Sequence, residues 1–252
     1  DNAWSMGRQG QTSQWNTLQF FQKYLEIVKS FGASTDVVYE NDNLNDYKVV
    51  IAPAFELVND ATITKWMDYV KQGGNLVLTV RTGVKDKNGH LYQSGWGEKI
   101  YPLIDAEIDY FDQLLPYMKG VVKGHNKEYY WNNWADLVNA NKPENVLATY
   151  TDQFYAGKAA VVTNRIGKGT VTYIGVDTDD AQLERDILKG VYNNAQIPTE
   201  DYPEGVYVNW RDGFWVAVNY SSKEYGLNIP QNAKVLIGSK TLPSGGVSVW
   251  IE

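Results

Sequence analysis

The chain has 252 residues, a formal net charge of −7 and no cysteine. The acidic balance argues against nucleic acid as a partner, since such binding needs a basic surface to neutralise phosphates. The missing thiol removes disulfides, thiolate metal sites and cysteine nucleophiles and leaves the compartment open. With 43% hydrophobic and 21% charged residues the composition is that of an ordinary globular protein, and no apolar run nears the roughly 20 residues of a membrane span.

In chain order, Trp15, Leu18, Phe21, Leu25 and Val28 give an apolar stripe to a helix from Ser13 to Ser30, with Gly32 as its stop. Asp36 to Glu40 reads as a strand. Residues 48–52 form a short apolar run suited to a strand covered on both faces. Asn59 or Asp60 caps the next helix, where Ile63, Trp66, Met67 and Val70 recur at helical spacing. Gly73-Gly74 supplies a left-handed stop. Leu76-Val77-Leu78 is a second buried strand, so Tyr47 to Asp86 spells a parallel βαβ unit with a right-handed crossover.

Residues 81–97 are polar and glycine-rich, a long loop after a strand's carboxyl end, where open α/β sheets place function. Tyr129-Tyr130-Trp131, Trp134, Leu137 and Val138 are read as one helix. Ala159 to Asn164 and Thr170 to Ile174 are strands joined through Gly167-Lys168-Gly169. A last helix, Asp180 to Ala195, buries Leu183, Ile187, Leu188 and Val191. Pro198 to Pro203 breaks the pattern and marks a domain boundary. Beyond Gly205 the period becomes two, with Asp212-Gly213 as a hairpin turn and further strands near Leu227, Val235 and Val249. About fifty residues of antiparallel sheet bury too little to stand alone and should pack against a neighbour.

Taken together these segments resemble the C-terminal, non-catalytic half of family 42 glycoside hydrolases, the β-galactosidases with a TIM-barrel catalytic domain. The most specific stretches are Tyr47–Pro53, Gly73–Asp86 and Gly157–Gly175, supported by Asp1-Asn2-Ala3-Trp4 and Gln11–Trp15. The resemblance implies an α/β fold for residues 1–198: an open, mostly parallel sheet, flavodoxin-like or class I glutamine amidotransferase-like, with helices on both faces. Residues 199–252 would be a small antiparallel β-domain. It implies a homo-oligomer, a trimer, and as further partner an N-terminal TIM-barrel carrying both catalytic glutamates, with no cofactor. The start at Asp1 without methionine reads as a processed or excised piece, and the family places a sheet strand before this point.

Other chemistry has weaker support. Glu40 and Glu56 follow strand ends, but a retaining glycosidase needs two carboxyls about 5–5.5 Å apart, and acidic residues commonly leave strands into solvated loops. Amidotransferase chemistry requires a cysteine on a strand-to-helix elbow, whereas Val80 runs into Arg81-Thr82-Gly83, and no G-x-S-x-G is present. Asp177, Asp179 and Asp180 lack calcium-loop spacing; Asp179 is read as the cap of the last helix and Asp180 as the complement to its dipole. Arg165 to Gly169 is a turn before it is an anion site, and His90 and His125 are loop residues without metal-site neighbours. The aromatic residues divide in two. Trp15, Trp66 and Trp134 belong to a core, while Trp4, Trp96, Tyr129, Tyr130 and Trp131 are candidates for subunit or carbohydrate contact. Carbohydrate binding through these aromatics is the alternative function.

Overall fold

The computed structural model describes residues 15–252. Two compact units result: one holds the described residues through Lys23 together with Glu40–Val191, the other Tyr24–Tyr39 and Tyr192–Glu252.

The βαβ unit folds as its residues dictate. Strand β1 (Val49–Ala52) lies parallel to β2 (Asn75–Thr79), with helix α2 (Asp60–Gln72) between them. Asn59 is the N-cap, its side-chain oxygen accepting from the Thr62 N–H, and Gly73, at φ 121°, ends the helix. All five residues of β2 are buried, because it pairs in parallel on its other side with β8 (Gly169–Ile174). Gly169 is required at that entry: a Cβ there would lie 2.1 Å from the Gly74 carbonyl oxygen.

Beyond this unit the expected open, mostly parallel, amidotransferase-like sheet is not what forms. β1–β2 and β2–β8 are the parallel pairings of the nine-stranded sheet among the described residues. Its other pairings are antiparallel. They link β3 (Ala106–Asp112), β4 (Gly120–Gly124), β5 (Lys127–Ala140), β6 (Val146–Tyr150), β7 (Ala159–Ile166), β8 and β9 (Val176–Thr178). β4 pairs with β5 and β6, β6 with β7, and β7 returns to β5 where Val138 opposes Ala159. Those four strands close a small barrel, which removes their edges and fills the interior with side chains. The expected helix at Tyr129–Val138 is therefore the long strand β5. A register shift between Trp131 and Trp134 inserts extra residues there, so its apolar positions fall three and four apart and imitate a helix.

Smaller corrections concern the amino-terminal part. Helix α1 runs Thr17–Lys29 and buries Phe20, Tyr24, Ile27 and Val28, while Leu18 faces solvent. Its stripe is thus rotated by about one position from the expected one. Residues 36–40 form no strand; Asp36 instead pairs with Arg211, 2.6 Å away. Two further α-helices belong to the first unit, the short α3 (Tyr101–Ile104) and α4 (Gln182–Asn194) as far as Val191.

The second unit carries a four-stranded antiparallel sheet in the order β10 (Val206–Arg211), β11 (Phe214–Asn219), β15 (Val247–Ile251), β13 (Lys234–Ile237), and a two-stranded ribbon of β12 (Tyr225–Gly226) and β14 (Thr241–Leu242). Asp212 and Gly213, both at positive φ, make the β10–β11 turn. Val206, Val208, Ala217, Leu227, Ile229, Leu242 and Trp250 form its core.

Candidate functional site

The carboxyl ends of β1 and β2, where a parallel sheet opens a crevice, hold a buried charge cluster. The chain leaves β2 through a tight turn in which Thr82 Oγ1 donates to the Thr79 carbonyl at 2.7 Å. Arg81 sits in that turn at φ 66° and is 0% exposed. Its guanidinium carbon lies 4.6 Å from the ring centre of Trp15 and 4.7 Å from that of Trp134, and the two indoles meet edge to face with centres 5.8 Å apart, so the cation sits in the corner between them. Nη2 is 2.5 Å from Glu56 Oε1, and Lys85 Nζ donates to Glu56 Oε2 at 2.6 Å. Burial lowers the Arg81 pKa, and the charges of Glu56 and then Asp136 work against that shift.

Asp136, on β5, is the second centre of the cluster. Its Oδ1 accepts from the indole N–H of Trp96 at 3.0 Å and of Trp134 at 2.9 Å. Its Oδ2 accepts from the Arg81 backbone N–H at 3.1 Å and the Tyr173 hydroxyl at 2.5 Å. Burial pushes the Asp136 carboxyl up, and these four donors pull it down. The strand-end position that would present a nucleophile is thus filled by a buried cation, set against two indoles and paired with Glu56. The arrangement fixes the loop after β2 onto β5, which is structural chemistry.

The other residues singled out from the sequence are dispersed. Trp96 is drawn inward by Asp136, Tyr129 is buried with its hydroxyl donating to Asp186 at 2.8 Å, and Trp131 is wholly buried. Tyr130 remains at the surface beneath Lys119, and Trp4 lies outside the described residues. Tyr129 and Trp131 are buried while Tyr130 is not, and this alternation is that of a strand. Glu56 is consumed by Arg81 and Lys85, while Glu40 accepts from Thr62 Oγ1 at 3.2 Å at the start of α2. The three aspartates also part company: Asp177 pairs with Lys23 at 2.6 Å, Asp179 with Lys119 at 3.2 Å, and Asp180 accepts from the Gln182 N–H at 3.1 Å. It is Asp180, rather than the expected Asp179, that serves the amino end of α4. His125 and Asn126 form the β4–β5 turn at φ 51° and 60°.

The interior tyrosines give the unit an alkaline limit. Tyr150 donates to the backbone carbonyls of Asp136 and Gly175, at 3.0 and 2.9 Å. Burial first, and the nearby Asp136 second, hold the Tyr150 and Tyr173 hydroxyls well above the usual phenol range. An unfolded tyrosine loses its proton near pH 10, so above that point the native state binds more protons and stability falls as pH rises. Lys23 acts in the same direction. Burial would lower its pKa, but Glu184 and Asp177 outweigh it and raise it, so its contribution is lost as pH climbs past the lysine range. The two tyrosines together set a slope of about 3 kcal/mol per pH unit above roughly pH 10. Denaturant midpoints across that range measure it. An unchanged slope in the Tyr150→Phe/Tyr173→Phe variant would show the assignment to be mistaken.

Two loops at one end of the barrel present apolar groups to solvent. Residues 113–119 expose Leu115, Tyr117 and Met118, and residues 151–158 expose Phe154; Tyr117 is 81% and Phe154 86% exposed. Neither loop hangs free. Leu114 N–H donates to the Asn132 carbonyl at 2.9 Å, Val121 N–H to Asp152 Oδ1 at 3.0 Å, and the Tyr155 hydroxyl to Asp112 Oδ2 at 2.6 Å. Aromatic residues of this kind are enriched where proteins meet.

Residues 1–200 match the family described as the β-galactosidase trimerisation domain. The chain belongs to that family. A β-galactosidase of Haloferax lucentense is 28% identical over 99% of this chain and 37% of its own length. One from Clostridium cellulovorans is 31% identical over 69% of the chain and 27% of its own. The solved β-galactosidase of Halorubrum lacusprofundi superposes over the whole chain and 38% of its own length with a TM-score of 0.91 at 24% identity, which shows the fold. The chain thus spans between about a quarter and little more than a third of the curated relatives it matches.

As a trimerisation domain the chain is an oligomerisation region, in agreement with the resemblance read from its segments. What that reading missed is the role of Arg81 and Asp136. Arg81 stood within one of the quoted stretches but in a polar run, and its signal was positional: a cation two residues beyond a fully buried strand. Asp136 lay hidden in a segment read with the wrong period.

Proposed function

We propose that this chain joins the subunits of a homotrimeric β-galactosidase, whose cleavage of terminal β-galactosides is performed by a (β/α)₈ barrel elsewhere in the parent polypeptide. The observation that carries the reading is the pair of firmly held loops with Tyr117 and Phe154 in solvent, on a chain of the trimerisation family. Burying an aromatic anchor at the centre of an interface is worth on the order of 2 kcal/mol or more. Light scattering of the chain should give the mass of three copies, and Tyr117→Ser/Phe154→Ser should shift it towards one copy with unchanged circular dichroism. No chromogenic galactoside should be turned over. A monomer that hydrolyses the galactoside would refute both halves of the proposal.

A further inference from the structure

Residues 84–92 form a small finger rooted in the buried charge cluster. Its two arms run antiparallel where Lys85 opposes Leu91, and the Tyr92 N–H donates to the Val84 carbonyl at 3.1 Å. At its base the Lys85 N–H donates to the Glu56 carbonyl at 3.0 Å, and the Val58 N–H to the Lys85 carbonyl at 3.3 Å. The tip holds the only Asn-Gly step in the chain, Asn88-Gly89, with Asn88 exposed to solvent. Such a step sets an electrophilic amide carbon beside an unshielded nucleophile, because glycine places no Cβ next to its nitrogen. The Gly89 nitrogen attacks Asn88 Cγ and closes a succinimide ring. Its proton passes to the departing Nδ2 group, which leaves as ammonia. Water then opens the ring at either carbonyl and gives aspartate or isoaspartate, so the net change is one water taken up and one ammonia lost.

The fold holds this step back. The Gly89 N–H donates to the Asp86 carbonyl at 3.0 Å, so the nitrogen that must attack is engaged as a donor. Asp86 Oδ1 accepts from the Asn88 N–H at 2.8 Å and from the His90 N–H at 2.9 Å, and the Asp86 N–H donates to the His90 carbonyl at 2.8 Å. One aspartate thus fixes the backbone on both sides of the reactive pair, with Gly89 at φ 79°. For the nitrogen to reach Cγ, the turn has to open. We propose that Asn88-Gly89 is a deamidation site of this chain and that Asp86 is the positioning residue that keeps it closed. Conversion to isoaspartate adds a methylene to the main chain at the tip. It therefore loosens the finger that brings Lys85 Nζ within 2.6 Å of Glu56 Oε2. The proposal does not depend on the oligomeric state.

The full chain, incubated at mildly alkaline pH and warmed, is digested, and the peptide holding Asn88 is followed by mass and by enzymatic methylation of isoaspartate. Native wild type should convert several-fold more slowly than the same chain in denaturant. Asp86→Ala, native by circular dichroism, should convert roughly fivefold faster than wild type or more, the factor that one ordinary net hydrogen bond is worth in the opening equilibrium. Asp86→Asn keeps a side-chain acceptor and should fall between the two. In denaturant the three rates should coincide, which separates the effect of the turn from that of the neighbouring sequence. A native wild type that converts as fast as the denatured chain would overturn the proposal. So would a native Asp86→Ala no faster than wild type, or an Asp86→Asn rate equal to that of Asp86→Ala.

Discussion

Glu56→Ala is expected to destabilise the chain by about 3–5 kcal/mol, because removing one member of a buried ion pair leaves its partners charged and uncompensated. Here the partners are two cations. Arg81 is wholly buried and Lys85 is 2% exposed, and each meets a separate oxygen of the same carboxylate. Without it Arg81 keeps its two indole neighbours and the more distant Asp136, while Lys85 loses its buried counter-ion. Shrinking glutamate to alanine also opens space at a closed site, which adds a cavity cost in the same direction. For a domain of this size the change corresponds to a fall in melting temperature of roughly 6–20 °C. Thermal melts and denaturant titrations of the two proteins measure it. A loss below about 1 kcal/mol would mean that water reaches the cluster and that its charges are solvated rather than paired.

A second variant separates charge from packing. Arg81→Met on the Glu56→Ala background removes one stranded cation, and methionine sits well against indole. The double variant should therefore be less destabilised than the sum of the two single ones, with a coupling of about 0.5–3 kcal/mol. Additive losses would show that Glu56 and Arg81 act independently, contrary to the 2.5 Å contact between them.

How far the sequence discloses this fold depends on how local the determinants are. The βαβ unit is legible because everything that sets it lies within forty residues: the Asn59 cap, the Gly73 stop and two strands apolar enough to be buried. The Asp212-Gly213 turn is legible for the same reason. The barrel is not, since its closure depends on Val138 meeting Ala159, and nothing in either neighbourhood announces that pairing. The open, mostly parallel sheet came from the resemblance and does not hold beyond β1, β2 and β8, and the irregular register of β5 concealed the antiparallel part. The site shows the same division. That residues just after β2 matter follows from where parallel sheets open. That Arg81 turns inward does not, because its burial requires Trp15, Glu56 and Trp134, which come from three other segments. Trp96 illustrates the converse: in a polar loop it reads as exposed, and its hydrogen bond to Asp136 leaves it half-buried.

Asp136 provides the other large expected effect, and its two substitutions should differ in a defined way. Asp136→Ala strands four donors at once, the indole N–H groups of Trp96 and Trp134, the Arg81 backbone N–H and the Tyr173 hydroxyl. Each buried donor left without an acceptor costs about 1–3 kcal/mol. Some of that is recovered as the tyrosine hydroxyl rotates, so a net loss of at least about 3 kcal/mol is expected. Asp136→Asn keeps nearly the same shape and one good acceptor. With its oxygen turned to the two indoles, the amide NH₂ faces Arg81 and Tyr173. Tyr173 can reverse its role and accept, but the Arg81 N–H meets another donor and is orphaned. The asparagine variant should therefore lose about 1–3 kcal/mol, less than alanine, and should also raise the cost of burying the Arg81 cation by withdrawing a nearby negative charge. Denaturant unfolding orders the three proteins, with wild type most stable and alanine least. Equal stability of wild type and asparagine would mean that the carboxyl is protonated in the folded state and that the cluster holds one negative charge, on Glu56, rather than two. In that event the pH dependence would agree: a carboxyl raised by burial makes the fold lose stability as pH rises from the unfolded aspartate value, near 3.9, through the folded one.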